Sequence, residues 1–211
     1  MTRVKVCGLT TERDVRLAAE LGAWACGFVL SQSPRRVTVA QAAELVPHSG
    51  DALAVAVVTT EDPEWIAQAV VAGGFDGVQL SAGAEGPAVA AVRAAAQDRG
   101  LRPLVIAAGD IADADAADLV LLDARAPDAY GGTGRTLDWQ ALAAETLPRE
   151  RLVLAGGLRP SNVDGAIKLL RPHAVDVAGG VERSPGVKDP KLLRSFFGVV
   201  AGADHSADTP A

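Results

Sequence analysis

Cys7 closes the apolar run "VKVC" and is followed by Gly8, while Asp123 closes "LVLLD" and runs into a stretch holding Gly131, Gly132 and Gly134. An Asp at the end of an apolar run is costly to bury unpaired. It has three readings: partner to a neighbouring Arg, cap of a loop, or proton donor. A Cys in an apolar run is usually a small inert hydrophobe, and Cys26, in the middle of "WACGF", reads that way. Cys7 differs because it ends its run before a glycine. A helix N-terminus and nearby cations there would lower its pKa from about 8.5. Two glycine pairs, Gly156-Gly157 and Gly179-Gly180, follow two later apolar runs. Each pair makes either a tight turn or a place where backbone N–H groups approach a phosphate. A thiol and a carboxyl facing each other over a phosphate site form an acid–base pair. Taking a proton from one carbon and delivering another elsewhere is the chemistry of an isomerisation. A P-loop is excluded, since the nearest register puts Ala129 where its first Gly belongs and Arg135 where its Lys belongs.

These residues need elements to hold them. Short, β-branched apolar runs recur at Val4–Cys7, Ala25–Leu30, Leu53–Thr59, Gly77–Leu80, Pro103–Ala107, Leu119–Asp123, Leu152–Ala155 and Ala174–Val177. Alanine-rich stretches of helical spacing separate them. "TTERDVRLAAELG" carries a Thr10 or Thr11 N-cap and a Gly22 C-cap. "TVAQAAELV", "DPEWIAQAVVAGG", "EGPAVAAVRAAAQDRG", "DWQALAAETL", "SNVDGAIKLL" and "DPKLLRSFF" read alike, and only "DIADADAAD" is weak. Strands apolar on both faces, each followed by a helix, imply a parallel sheet. Eight such units imply a (β/α)8 TIM barrel, an α/β fold in one domain spanning residues 1–203, followed by a disordered polar tail at 204–211. An open doubly wound sheet is the alternative, but no Gly-x-Gly-x-x-Gly follows the first strand. In such a barrel the chemistry lies at the C-terminal strand ends, with phosphate after strands 7 and 8. That is where Cys7, Asp123 and both glycine pairs fall.

Composition narrows the classes. The 211 residues carry a net charge of −6, which gives no support to nucleic-acid binding. No apolar run reaches membrane-spanning length, and "MTRVKVCGLT" has no secretory h-region. Two cysteines make no disulfide framework, so a reducing cytoplasm is expected. His48, His173 and His205 lie far apart and form no metal-spaced cluster, so no metal is expected.

"VKVCGLT", "GFVL…SPRRVT", "VQL", "LLDARAPDAYGGTGRTLDW", "LAGGLRPSNV" and "VDVAGGVERSPGVKD" occur in this order from about Val4 to Asp189. Together they resemble the phosphoribosylanthranilate isomerase family of tryptophan biosynthesis. The resemblance implies a (β/α)8 barrel and an Amadori rearrangement of N-(5-phosphoribosyl)anthranilate to 1-(2-carboxyphenylamino)-1-deoxyribulose 5-phosphate, without cofactor. It makes Cys7 the general base and Asp123 the general acid. Arg35 meets the anthranilate end, and Gln79, Gly132 and Asp176 contact substrate. Gly156, Gly157, Gly179 and Gly180 cradle the phosphate. The implied partner is a small phosphorylated substrate, and the implied assembly a monomer or weak homodimer. Residues 124–137, at roughly fourteen residues, are long enough to read as a closing loop. Three positions depart from the family pattern: Ala178-Gly179 replaces a serine pair, Ser81 a histidine, and Arg36 an aromatic residue. The rival classes are the sibling isomerase of histidine biosynthesis or an enzyme serving both pathways, a metal-dependent epimerase, and a sugar-phosphate-binding barrel without catalysis. The sibling uses a carboxylate at the position of Cys7.

Overall fold

Eight apolar runs become eight strands: β1 Arg3–Cys7, β2 Ala25–Val29, β3 Leu53–Val58, β4 Gly77–Leu80, β5 Leu104–Ala108, β6 Leu119–Asp123, β7 Leu152–Ala155 and β8 Ala174–Val177. In the computed structural model they close in sequence order into a parallel barrel, with β8 hydrogen-bonded to β1. The structure describes residues 1–59, 62–81, 86–108, 116–123, 139–143 and 147–207. Gly132, with the rest of 124–138, lies outside them, as does most of "DIADADAAD".

Side chains alternate across each strand, and the alternation separates two cores. Val4, Val6, Cys26, Phe28, Val78, Val105, Leu154 and Val177 face the surrounding helices. Ala25, Val55, Ile106, Leu119, Leu121, Val153, Ala155 and Ala174 fill the barrel interior. Parity then places Lys5 and Cys7 on the interior face of β1, between the outward Val4 and Val6. It places Asp123 in line with the inward Leu119 and Leu121.

The helices are α1 Glu12–Glu20, α2 Val39–Leu45, α3 Pro63–Gly73, α4 Gly86–Gln97, α5 Trp139–Ala143, α6 Val163–Leu170 and α7 Pro190–Ala207. Their starts follow local chemistry. Thr11 caps α1 through the Asp14 amide, and Thr38 and Gln41 form a capping box on α2. Asp62 accepts from the amides of Glu64 and Trp65 ahead of α3, with Pro63 in the first turn. Helix α7 runs to Ala207, beyond residue 203 where the sequence reading ended the barrel, and 208–211 lie outside the described residues. No helix is long and apolar enough to cross a membrane among the described residues.

One element escaped the sequence reading. After β8, a 3-10 turn over Gly179–Val181 leads into a two-stranded antiparallel ribbon, β9 Glu182–Ser184 and β10 Val187–Lys188. Strands of three and two residues are too short to show a period of two.

Candidate active site

The strand register sets the heights of the site residues. Asp123 pairs with Ala155, so it lies level with the start of the Gly156-Gly157 turn. Cys7 follows Val6, which pairs with Val177, so it lies level with Ala178 and next to the Gly179-Gly180 turn. Passing along the rim from β6 to β1, the order is carboxyl, glycine turn, glycine turn, thiol. The two reactive groups therefore flank the two glycine turns on four consecutive strands. Asp123 is exposed and Cys7 nearly buried.

The four glycines hold the turns for different reasons. Gly156 and Gly157 have φ of 85° and 67°, the left-handed region that other residues avoid. Asn162 braces their turn. It takes a hydrogen bond from the Arg159 amide at 2.8 Å and donates to the Gly157 carbonyl at 3.1 Å. Gly180 is needed for space, because a β-carbon there would sit 1.8 Å from the Leu158 carbonyl oxygen. The turn after β8 is thus packed directly on the loop after β7, and the two make one cradle. Gly179 is unconstrained by comparison, with the nearest atom to its β-carbon position, Arg35 Nη2, at 3.4 Å.

Around Cys7 the structure joins Asp176 and Arg35 to three charges that the sequence reading did not include, Lys5, Lys188 and Glu182. Lys5, fully buried one layer below Cys7, bonds Asp176 on β8 at 3.0 Å. Burial lowers its pKa, but the charges and hydrogen bonds of Asp176 and Cys7 outweigh that and raise it, so it stays protonated. Lys188, also fully buried, donates to the Cys7 carbonyl at 2.6 Å, the Ala178 carbonyl at 3.2 Å and Glu182 Oε1 at 2.8 Å. Its backbone amide donates to Asp14 on α1 at 2.9 Å. The ribbon β9–β10 thereby ties the end of β1 to the end of β8.

Glu182 is the hub of the outer half. Arg35 grips it with a forked pair, Nη2 to Oε2 at 2.7 Å and Nε to Oε1 at 2.9 Å. Burial alone would push the Glu182 carboxyl up, but hydrogen bonds from Arg35 and Lys188 hold it below the ordinary carboxylate range. Arg36 points elsewhere, donating from Nε to the Leu30 carbonyl at 3.0 Å. Gln79, buried on β4, donates to Ser81 at 3.0 Å, which gives one of the departing residues a definite role. Gln79 Oε1 and Asp176 Oδ1 are buried and accept no hydrogen bond among the described residues.

The expectation that cations lower the Cys7 pKa is corrected by this geometry. Burial raises it, and that outweighs the opposing pull of Lys5 and Lys188. Cys26 is fully buried, and burial pushes its thiol up to about 11. No group of three or more His, Cys, Asp or Glu able to hold a metal occurs among the described residues.

A closed parallel barrel with a thiol and a carboxyl flanking a glycine cradle defines a class: enzymes that move protons on a small anionic substrate at the C-terminal mouth. Comparison with known proteins narrows this. The family model described as N-(5'-phosphoribosyl)anthranilate (PRA) isomerase matches residues 4–199, and the chain belongs to that family. The chain is 38% identical over 207 residues to the N-(5'-phosphoribosyl)anthranilate isomerase of Pelobacter propionicus, covering 93% of this chain and 94% of the relative. The phosphoribosylanthranilate isomerase structure from Thermotoga maritima superposes with a TM-score of 0.79 at 35% identity, over 96% of this chain and all of that one. Another solved phosphoribosylanthranilate isomerase, in complex with reduced 1-(o-carboxyphenylamino)-1-deoxyribulose 5-phosphate, gives 0.76 at 32% identity, over 96% and 100% of the two chains.

Proposed function

We propose that the chain converts N-(5-phosphoribosyl)anthranilate to 1-(2-carboxyphenylamino)-1-deoxyribulose 5-phosphate in tryptophan biosynthesis, with Asp123 as general acid and Cys7 as general base. The observation carrying this reading is the order along the rim, carboxyl, two glycine turns, thiol, in a chain of this family. Asp123 protonates the furanose ring oxygen, the ring opens, and C1 becomes a Schiff base. The Cys7 thiolate takes the proton from C2, and the C–H electron pair forms the enolamine. The enolamine then tautomerises to the ketone. Phosphate bound by the turns at 156–157 and 179–180 fixes the far end of the sugar, so that C1 and C2 lie between the two groups. Gln79, Gly132 and Asp176 complete the substrate contacts in this reading. The enzyme works in the cytoplasm, as a monomer or weak homodimer.

The test is a fluorescence assay following loss of phosphoribosylanthranilate, run beside the histidine-pathway substrate. Turnover of the second alone would overturn the assignment. Cys7, where the sibling enzyme uses a carboxylate, favours the first.

Arg35 is the residue proposed to meet the anthranilate carboxylate. Its side chain keeps 27% exposure beside a nearly buried Glu182, so the guanidinium is gripped by Glu182 while part of the side chain stays open to solvent. A hydrogen bond to a charged group contributes about 1.5–3 kcal/mol. Arg35→Ala is therefore expected to lower kcat/KM by roughly 10- to 150-fold. Arg36→Ala, which removes one contact to a backbone carbonyl, is expected to change it only slightly. The reverse order in steady-state kinetics would assign the role to Arg36.

The turn has room for a side chain at Gly179. A β-carbon on Gly179 meets Arg35 Nη2 at 3.4 Å and Glu182 Oε2 at 3.9 Å, ordinary contacts. Restoring the hydroxyls in Ala178→Ser/Gly179→Ser is expected to lower KM, by at most about tenfold, or roughly 1.4 kcal/mol. kcat should hold, since the contact is remote from C1 and C2. An unchanged KM, or a change confined to kcat, would remove the turn from phosphate binding.

A further inference from the structure

We infer that Lys5 is a positioning residue for the reaction: its ammonium, locked in place by Asp176, is the counter-ion against which the Cys7 thiolate forms. The inference rests on Cys7 being the base. It adds what makes a buried thiol usable as one.

The difficulty is burial. A thiol with a pKa of about 8.5 is ionised to only about 3% at pH 7, and Cys7 lies above its ordinary value. Removing water strips away the solvation a thiolate needs, so a fixed cation must replace it. Among the described residues, the charged groups near the sulfur can be followed to their partners. On β10, Lys188 is taken up by Glu182 and the carbonyls of Cys7 and Ala178. Arg35, after β2, is forked onto Glu182. On β8, Asp176 is bound to Lys5. The β2 residue paired with Cys7 is Gly27, which brings no charge. Of these cations, Lys5 is the one whose ammonium borders the same open space beside Gly27 as the Cys7 sulfur.

The geometry suits that role. Lys5 and Cys7 are two apart on β1 and share its interior face. Asp176 is the register partner of Lys5 across the β1–β8 pair. A β-carbon on Gly27 would lie 3.1 Å from Cys7 Sγ and 3.2 Å from Lys5 Nζ, so both side chains project into the space that glycine leaves open. Lys5 is fully buried and Asp176 nearly so, which leaves the ammonium little freedom to turn to solvent. When the thiolate takes the C2 proton it becomes the neutral thiol. Lys5 keeps its three protons throughout and needs no movement, because Asp176 holds it in both states.

The test separates a counter-ion from a structural prop by the sign of two substitutions. In a Cys26→Ala background, which leaves one thiol, ionisation of Cys7 is read from thiolate ultraviolet absorbance against pH. Lys5→Met is expected to raise the Cys7 pKa by at least one unit, a tenfold loss of thiolate below it. The acidic limb of kcat/KM should move up by the same interval. Asp176→Asn removes the anion and leaves the cation, so both readouts should move down. If Lys5→Met does not fold, because Asp176 is then buried unpaired, the double variant Lys5→Met/Asp176→Asn replaces the ion pair by a neutral one. Its thiol should titrate above that of Asp176→Asn alone. A folded Lys5 variant with an unmoved thiol, or both single substitutions moving it the same way, would overturn the inference. A thiol that moves while the acidic limb stays fixed would instead overturn Cys7 as the base, and with it any catalytic part for Lys5.

Discussion

Cys7→Ala and Asp123→Asn are each expected to lower kcat by about 10²–10⁴-fold, the range that positioned acid–base groups contribute, while the fold persists. Persistence follows from where the groups sit. Asp123 is exposed at the end of β6, and Asn keeps its shape. Cys7 to Ala removes one atom at the mouth, above the packed interior cluster. The pH dependence separates the two roles. A base acts only when deprotonated, so below its pKa the active fraction rises tenfold per pH unit. Burial holds Cys7 above the ordinary thiol value. kcat/KM, which reports the free enzyme, should therefore still be climbing as the pH passes through neutrality. In Cys7→Ala that climb should be gone from the residual activity. Stopped-flow or steady-state rates across the pH range, with circular dichroism to establish folding, decide the matter. A folded Cys7→Ala or Asp123→Asn variant within a few-fold of the parent would remove that residue from the mechanism.

Gly180→Ala produces the second large effect, through packing rather than chemistry. Its β-carbon would fall 1.8 Å from the Leu158 carbonyl oxygen, 2.8 Å from the Leu158 carbonyl carbon and 3.1 Å from Arg159 Cβ. Two of these are backbone atoms, so no rotamer change relieves the clash. Either the turn after β8 or the loop after β7 must shift by an ångström or more. Overpacking of this kind costs about 1–3 kcal/mol, and here it displaces the proposed phosphate donors. KM should rise by at least tenfold, inorganic phosphate should inhibit correspondingly less, and Tm should fall. Gly179→Ala is the control, expected to leave KM and Tm nearly unchanged because its β-carbon has room. Equal behaviour of the two variants would mean that the turns at 156–157 and 179–180 do not form one rigid cradle.

Much of this architecture is written locally. Each barrel strand is a short β-branched run, and each was bounded to within about a residue, because strands buried on both faces show as unbroken apolar runs. Cys7 and Asp123 stood out because a reactive group at the end of such a run is placed at the barrel mouth by the topology alone. The glycine pairs stood out for the same reason. Lys5 did leave a signal, a cation between Val4 and Val6 in a strand otherwise buried, but nothing local says whom it meets.

What tertiary structure decided was the company these residues keep. Lys5 finds Asp176 171 residues away, Arg35 finds Glu182 147 away, and Lys188 finds the Cys7 carbonyl 181 away. Closure of β8 onto β1 creates all three contacts, and no short-range pattern encodes them. Tertiary structure also reversed the expected direction of the Cys7 pKa. Cations near a thiol can be guessed from sequence, but the desolvation opposing them depends on how much water the folded barrel excludes. Likewise, two adjacent glycines that look equivalent in "AGGV" separate into one required by the Leu158 carbonyl and one free to vary. Periodicity and residue type therefore determine the barrel and place Cys7 and Asp123 at its mouth. The surroundings of the Cys7 thiol, and the packing of the cradle beside it, arise only when distant strands close around a dry interior.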